Sequence, residues 1–256
     1  MKEPERYVCW FSCGAASAVA TKIALARYPN CVIVNEDTGS EHPDNERFKS
    51  ECETWFGQEI ITIKSDKYED IWDVFKQTRY LVGPSGSRCT GELKRKPAEK
   101  FLNHFKDAEI FGYTVEERRR LARFREQNPE RHLICPLVDD ALTKADCLGI
   151  IEKAGIEIPA MYRLGFTNNN CIGCVKASSM KYWRRIRRHF PEVFDRMAKQ
   201  ERELGIAIIR KTVGGERVKV FLDEFPESSE DDEEEEEPEI QCGLFCMAAS
   251  ETMEND

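Results

Sequence analysis

The 256-residue chain has no apolar run long enough to cross a bilayer, and its opening MKEPERYVCWF carries acids and no signal-peptide pattern. These absences set aside a membrane-spanning protein and predict a cytoplasmic one. No internal repeat is visible, which sets aside repeat architectures. Histidine is scarce, and His42, His104, His132 and His189 show no metal-ligand spacing and no clear general base. The phosphate-binding fingerprints of a Walker loop and of G-x-G-x-x-G are missing. Cysteine, at eleven residues, is plentiful but odd in number, which argues against a fully paired disulfide framework. In a reducing compartment such cysteines point to metal binding, redox chemistry or burial.

What is present begins with ample core material, at 41% hydrophobic residues. The net charge of −9 is misleading, because the stretch DEFPESSEDDEEEEEPE (223–239) holds twelve acids and no base, and without it the chain stands at +3. Blocks of like charge repel and stay solvated, so this stretch is expected to be a disordered acidic tether. The body before it carries two arginine clusters, RRRLAR (118–123) and RRIRRH (184–189).

The hydrophobic pattern alternates between strand and helix periods. YVCWF (7–11), CVIVN (31–35), EIITIK (59–64), AEIFGY (108–113) and LICPLV (133–138) read as strands. Between them, helices are expected from the segment after SCGAAS, from 44–56 up to the stop at Gly57, from YEDIWDVF, KPAEKFLNHF and VEERRRLARFREQ, and from 143 to Gly155. YLVGPSGSRCTGELK (80–94) is expected to be a loop on its Gly, Pro and Ser content. Such alternation implies an α/β fold with a five-stranded parallel sheet covered by helices on both faces. Two helices (178–190 and 191–204) and a hairpin around TVGG extend it. The expected organisation is a nucleotide-binding α/β domain over 1–158, a Cys-x-x-Cys loop with helices and hairpin over 159–222, a disordered tether over 223–240 and a cysteine-containing tail over 241–256.

Three motifs carry chemistry. FSCGAAS ends the first strand and opens the first helix; its small residues let backbone N–H groups approach a phosphate, and Ser12 and Ser17 can donate. An ordinary tight turn built from small residues fits that pattern equally well. Glu36, Asp37, Thr38 and Gly39, at the end of the second strand, suit a ribose, an adenine or a metal, or a simple helix cap. The third is TNNNCIGCVK (167–176), whose C-x-x-C is open to a metal clamp, a redox dithiol or a chance pair. Cys9, Cys31, Cys135 and Cys147 read as core, Cys52 as a helix-surface or partly buried thiol, and Phe190, Phe194 and Met197 as packing.

Taken in order, these stretches resemble the sulfonucleotide (PAPS/APS) reductase family of the adenine nucleotide alpha hydrolase-like (PP-loop) superfamily, iron–sulfur branch. FSCGAAS is similar to the family's S-F-G-x-x-A loop, and NEDTGSEHPDNERF to T-D-T-G-x-x-x-P-E-T-x-x-F. RCTGELKRKP resembles C-C-x-x-R-K-x-x-P, and MYRLGFTNNNCIGC resembles L-Y-x-x-G-Y-x-S-I-G-C-x-x-C. QCGLF is similar to a C-terminal E-C-G-L-H. The resemblance implies an adenine nucleotide held by Ser12, Gly14, Ser17, Asp37, Thr38, Gly39, Lys94 and Arg118. It implies a nucleophilic Cys242 and a 4Fe–4S cluster on Cys89, Cys171 and Cys174. Thr90 stands where the family has a second cysteine, so Cys246 or Cys242 becomes the fourth ligand unless one iron stays open, as in related tRNA-thiolating enzymes; zinc is the rival metal.

The reaction so implied is reduction of adenylyl sulfate or its 3′-phosphorylated form to sulfite, with a thioredoxin-like protein as reductant. Gln241 and Phe245 depart from the family's Glu and His, and an acidic run beside a thiolate would raise its pKa. Two other readings stay open. One is ATP pyrophosphatase chemistry thiolating a tRNA or DNA, with the arginine clusters on phosphates rather than on a solvated helix face. The other is a non-catalytic nucleotide-binding relative.

Overall fold

The computed structural model describes residues 3–83, 86–213 and 216–224. β1 (Arg6–Trp10), α1 (Ala15–Arg27), β2 (Cys31–Asp37), α2 (Asp44–Phe56), β3 (Ile60–Lys64) and α3 (Ile71–Thr78) follow in regular alternation. A small ladder of β4 (Val82–Gly83) and β5 (Gly86–Ser87) leads into α4 (Arg88–Thr90), a π-helical turn at Gly91–Arg95 and α5 (Lys96–Phe101). Next come β6 (Asp107–Ile110), a 3₁₀ turn at Val115–Glu117, α6 (Arg118–Gln127), β7 (His132–Ile134), α7 (Pro136–Asp139), α8 (Lys144–Lys153) and α9 (Ala160–Arg163). α10 (Met180–His189), α11 (Pro191–Leu204), the hairpin β8 (Ile209–Val213) and β9 (Glu216–Val220), and a 3₁₀ turn at Leu222–Glu224 complete the described chain.

The five main strands form one parallel sheet in the order β3-β2-β1-β6-β7. Because side chains alternate along a strand, β1 feeds two cores. Val8 and Trp10 join Val34, Phe111 and Phe124 on one face, while Cys9 and Phe11 join Ile33, Phe48 and Ile110 on the other. A third core lies outside the sheet, where α3, α10, α11 and the C-x-x-C loop pack around Trp183, Phe194 and Met197. The expected sheet, with helices on both faces and a helical and hairpin extension, is the fold observed.

Several local expectations need correction. Residues 88–101 are helical rather than a loop followed by a helix, because Leu93, Lys94 and Ala98 are buried and tertiary contacts outweigh the Gly and Ser content. That helix stops at Phe101, where Leu102 turns extended, and Phe105 is fully exposed. The fifth strand ends at Ile134, since Pro136 has no N–H for a ladder and starts α7, whose Val138 and Asp139 N–H groups donate to the Cys135 carbonyl. β6 likewise ends at Ile110, short of Tyr113. Cys52 is fully buried rather than a surface thiol, because it faces the sheet from α2, and Cys31 is only half-buried. Among the described residues, no helix is long and apolar enough to cross a membrane.

Candidate functional site

In an open parallel sheet the ligand crevice lies beyond the strand C-termini where the strand order reverses. Here that point lies between β1 and β6, and a cavity of about 250 Å³ opens there. Trp10, Phe11 and Ser12 reach it from β1, and Phe111, Gly112 and Tyr113 from β6. Trp10 donates its Nε1–H to Glu109 (2.9 Å), a buried carboxylate gripped by both arms of Arg131 (2.7 and 2.5 Å). The apolar wall is therefore fixed by a buried ionic group beneath it.

The loop from β1 to α1 forms the polar wall. Ser12 donates its backbone N–H (3.1 Å) and its hydroxyl (3.2 Å) to Ser17 Oγ, which donates to the Gly14 carbonyl (2.9 Å). Gly14, at the N-cap of α1, supplies no side-chain cap, and the first turn of that helix holds no acid. The positive end of the 13-residue helix thus faces the cavity through Ala16 and Ser17. Tyr162 closes the loop from behind: its hydroxyl lies 3.3 Å from where a Cβ on Gly14 would stand, and burial pushes its pKa up to about 12. A Cβ on Gly112 would fall 2.8 Å from Ser17 N and Cα, so only glycine allows the segment after β6 to approach α1 this closely.

Cys13 sits in this loop at φ 55, a left-handed conformation unusual for cysteine. Two asparagines hold it there: Asn169 Nδ2 donates to the Cys13 carbonyl (2.7 Å) and Asn35 Nδ2 to the Phe11 carbonyl (2.9 Å). Asn169 also donates to Asn45 Oδ1 (2.8 Å) at the start of α2. The run Asn168-Asn169-Asn170 lines the cavity, so part of it serves to brace the phosphate loop.

Three cations and three acids complete the wall. Lys94, buried on the π-helical turn, lies 3.5 Å from Glu41. Arg120 contacts Glu117 at 2.6 Å and lies over the Tyr113 ring. Lys144 donates to Asn168 (2.6 Å) and to the Thr167 carbonyl. Glu36 and Glu116 are the remaining carboxylates of the wall. An anionic ligand with an apolar ring system matches this arrangement.

Of the residues expected at a nucleotide, Ser12, Gly14, Ser17 and Lys94 line the cavity. Arg118 is exposed on α6 outside the lining, and Arg120 takes the place foreseen for it. Asp37, Thr38 and Gly39 also lie outside the lining. Asp37 accepts from the Gly39 N–H (2.8 Å), and Gly39, at φ 64, has no room for a Cβ beneath the Glu69 carbonyl. Thr38 Oγ1 contacts Cys171 Sγ (3.2 Å), and Ser40 accepts from the Ile172 N–H (2.9 Å). Beyond Glu36, which lines the crevice, the end of β2 therefore supports the C-x-x-C loop. Of the second-strand candidates Glu36 does line the cavity. Sequence reasoning missed Gly112, Tyr113, Arg120, Lys144 and Asn169; the switch-point rule applied to FGYT (111–114) would have nominated Gly112 and Tyr113.

With this geometry in place, the chain can be compared with known proteins. Residues 6–180 match the phosphoadenosine phosphosulfate reductase domain, well over half of the chain. The chain belongs to this reductase-domain family. No curated protein matches it.

The reductase domain brings Cys89, Cys171 and Cys174 to one small cavity of about 20 Å³, shared with Thr90, Ile71 and Phe75. Tyr182 fixes the C-x-x-C turn: it accepts from the Cys174 N–H (2.9 Å) and donates to the Cys171 carbonyl (3.3 Å). Three thiols suit a soft metal in kind. Among the described residues, however, no group of three His, Cys, Asp or Glu is arranged to hold an ion, and Thr90, bonded to Ser87 (3.1 Å), occupies the position of a fourth thiol. The described residues do not make a cluster site on their own. Cys242 and Cys246 lie outside the described residues.

Proposed function

We propose that this reductase-domain protein is a sulfonucleotide reductase that acts on adenylyl sulfate or its 3′-phosphorylated form. The observation that carries the reading is the crevice at the strand-order reversal, where an aromatic wall faces a helix N-terminus and a buried lysine. Trp10, Phe111 and Tyr113 would bound the adenosine, and Ser12, Ser17, Lys94 and Arg120 would hold the sulfate and phosphate oxygens.

In this reading the thiolate of Cys242 attacks the substrate sulfur. An S–S bond forms, the bond from sulfur to the bridging oxygen breaks, and the adenosine phosphate leaves with the electron pair. A thiol of a thioredoxin-like dithiol protein then attacks the Cys242 sulfur and releases sulfite. Its second thiol forms the disulfide that frees Cys242, so the dithiol supplies both electrons. No step runs through a cluster. A 4Fe–4S group would be held by Cys89, Cys171 and Cys174, with Cys246 or Cys242 as the fourth ligand or with one iron left open. Iron, sulfide and zinc analysis of anaerobically purified protein decides between cluster, zinc and neither.

The test is sulfite release by the intact protein supplied with either sulfonucleotide and a reduced thioredoxin. The reading requires activity with one of them, lost in Cys242→Ser. Undiminished sulfite release in that variant would sink the mechanism. Pyrophosphate release from ATP without sulfite formation would transfer the same crevice to the nucleic-acid thiolation reading.

A further inference from the structure

Glu36 is the acid that the sheet itself brings to the crevice. It lies at the C-terminal end of β2, two residues beyond Val34, which pairs in register with Trp10. Side chains two apart share a face, so Glu36 stands on the same side of the sheet as the Trp10 ring. It is 7% exposed. The other acids of the wall belong to the turn ahead of α6, where Glu116 accepts from the Lys144 N–H (3.1 Å) and Glu117 from the Thr114 N–H (3.2 Å). With the aromatic rings taking the adenine and the loop from β1 to α1 taking the anionic end, the sugar between them comes to lie beside Glu36. The cations of the wall are already balanced. Lys94, Arg120 and Lys144 meet Glu36, Glu116 and Glu117 within the lining, and Glu41 lies 3.5 Å from Lys94.

We propose that Glu36 accepts a hydrogen bond from the ribose 3′-hydroxyl and thereby excludes a 3′-phosphate, which makes adenylyl sulfate the substrate of the crevice. The inference rests on the sulfonucleotide reading above and chooses between its two substrates. A hydroxyl donates to a buried carboxylate, whereas a phosphate in its place brings further negative charge and nothing to donate. Dinucleotide-binding folds use the same device: an acid about twenty residues past the phosphate loop selects a free ribose hydroxyl, and an arginine accommodates a phosphate there. Glu36 lies a similar distance beyond Gly14. Charge points the same way. Adenylyl sulfate carries about two negative charges and its 3′-phosphorylated form about four, and the balanced wall offers no surplus for the difference. Arg118 and Arg119, the next cations on α6, are exposed outside the lining. Residues 225–256 hold thirteen acids and no Lys, Arg or His. Cys242 follows ten of those acids, so its approach to the substrate adds negative charge rather than cations.

Calorimetric titration of the intact protein with AMP, 3′-deoxy-AMP and adenosine 3′,5′-bisphosphate tests the proposal. AMP should bind roughly tenfold or more tighter than the bisphosphate. It should bind roughly fivefold tighter than 3′-deoxy-AMP, which lacks the donor. In Glu36→Gln, with the fold verified by circular dichroism, the preference over the bisphosphate should shrink roughly fivefold. That change should come from a gain in bisphosphate affinity, which mere damage to the crevice would not produce. The wild-type comparison decides the matter even where the variant does not fold. Bisphosphate or 3′-deoxy-AMP bound as tightly as AMP would overturn the proposal, and so would a preference unmoved in Glu36→Gln. Sulfite release measured alongside separates the two failures. AMP preferred, with no sulfite from either sulfonucleotide, would end the reductase reading and leave the ribose contact standing. Faster sulfite release from the 3′-phosphorylated form would uphold that reading and refute the exclusion.

Discussion

Glu201 offers a quantitative test of how the extension is held. This fully buried carboxylate of α11 accepts from the Ile208 N–H (2.5 Å) and the Leu222 N–H (2.7 Å), one on either side of the β8–β9 hairpin. Burial raises its pKa from 4.5 to about 7, despite the opposing effect of the two N–H donors. A carboxyl that binds its proton more tightly in the fold contributes stability that is fully present below pH 4.5 and is lost as pH rises through 7. At about 1.4 kcal/mol per pH unit the whole effect is on the order of 3 kcal/mol, of which about 2 kcal/mol falls between pH 5.5 and 8.5. Glu201→Gln removes the titration but turns an amide NH₂ toward one of the two backbone donors, a cost of about 1–3 kcal/mol. Urea unfolding of both proteins should show the wild type ahead at pH 5.5, with its lead shrinking by about 2 kcal/mol at pH 8.5. A lead constant to within about 0.5 kcal/mol would refute the reasoning, since Glu201 would then not titrate across this range.

Three further outcomes follow from the crevice. Gly112→Ala pushes a methyl against the backbone of Ser17 and should cost about 1–3 kcal/mol in stability, with at least a tenfold loss of adenine nucleotide affinity by calorimetry. Tyr162→Phe removes a hydroxyl that sits against Gly14 in the crevice wall, which should weaken adenine nucleotide binding severalfold by calorimetry while thermal unfolding stays within about 1 kcal/mol. Arg120→Ala should weaken nucleotide binding while Arg118→Ala leaves it within twofold; the reverse order would place the ligand elsewhere.

The contrast between Arg118 and Arg120 shows where sequence reading stops. The cluster RRRLAR was visible, but a 3₁₀ turn ahead of α6 sets the helix phase, and that phase decides which arginine faces the crevice. The proline at 136 was visible too, yet a run of apolar residues outweighed it in the sequence reading and the strand was drawn too long. Thr38 and Gly39 were assigned to the nucleotide by family resemblance, the residues themselves leaving a metal or a helix cap open. The Thr38 hydroxyl instead contacts Cys171 of the C-x-x-C loop, which arrives from more than a hundred residues downstream, and Gly39 packs beneath the Glu69 carbonyl.

By itself the sequence determined the alternation of strands and helices, the two-sided burial of the sheet, and the loop of small residues after β1. Each of these is a local property, set by side-chain period and backbone freedom within a few residues. It also determined the charge division between a basic body and an acidic segment. Only the tertiary structure decided that β1 and β6, some hundred residues apart, lie side by side and open the crevice between them. It alone placed Gly112 against Ser17, Asn169 under Cys13, and Thr90 beside three thiols. The reason is physical: such contacts depend on strand order and close packing, which arise from the whole chain at once and leave no periodic trace in any one stretch of it.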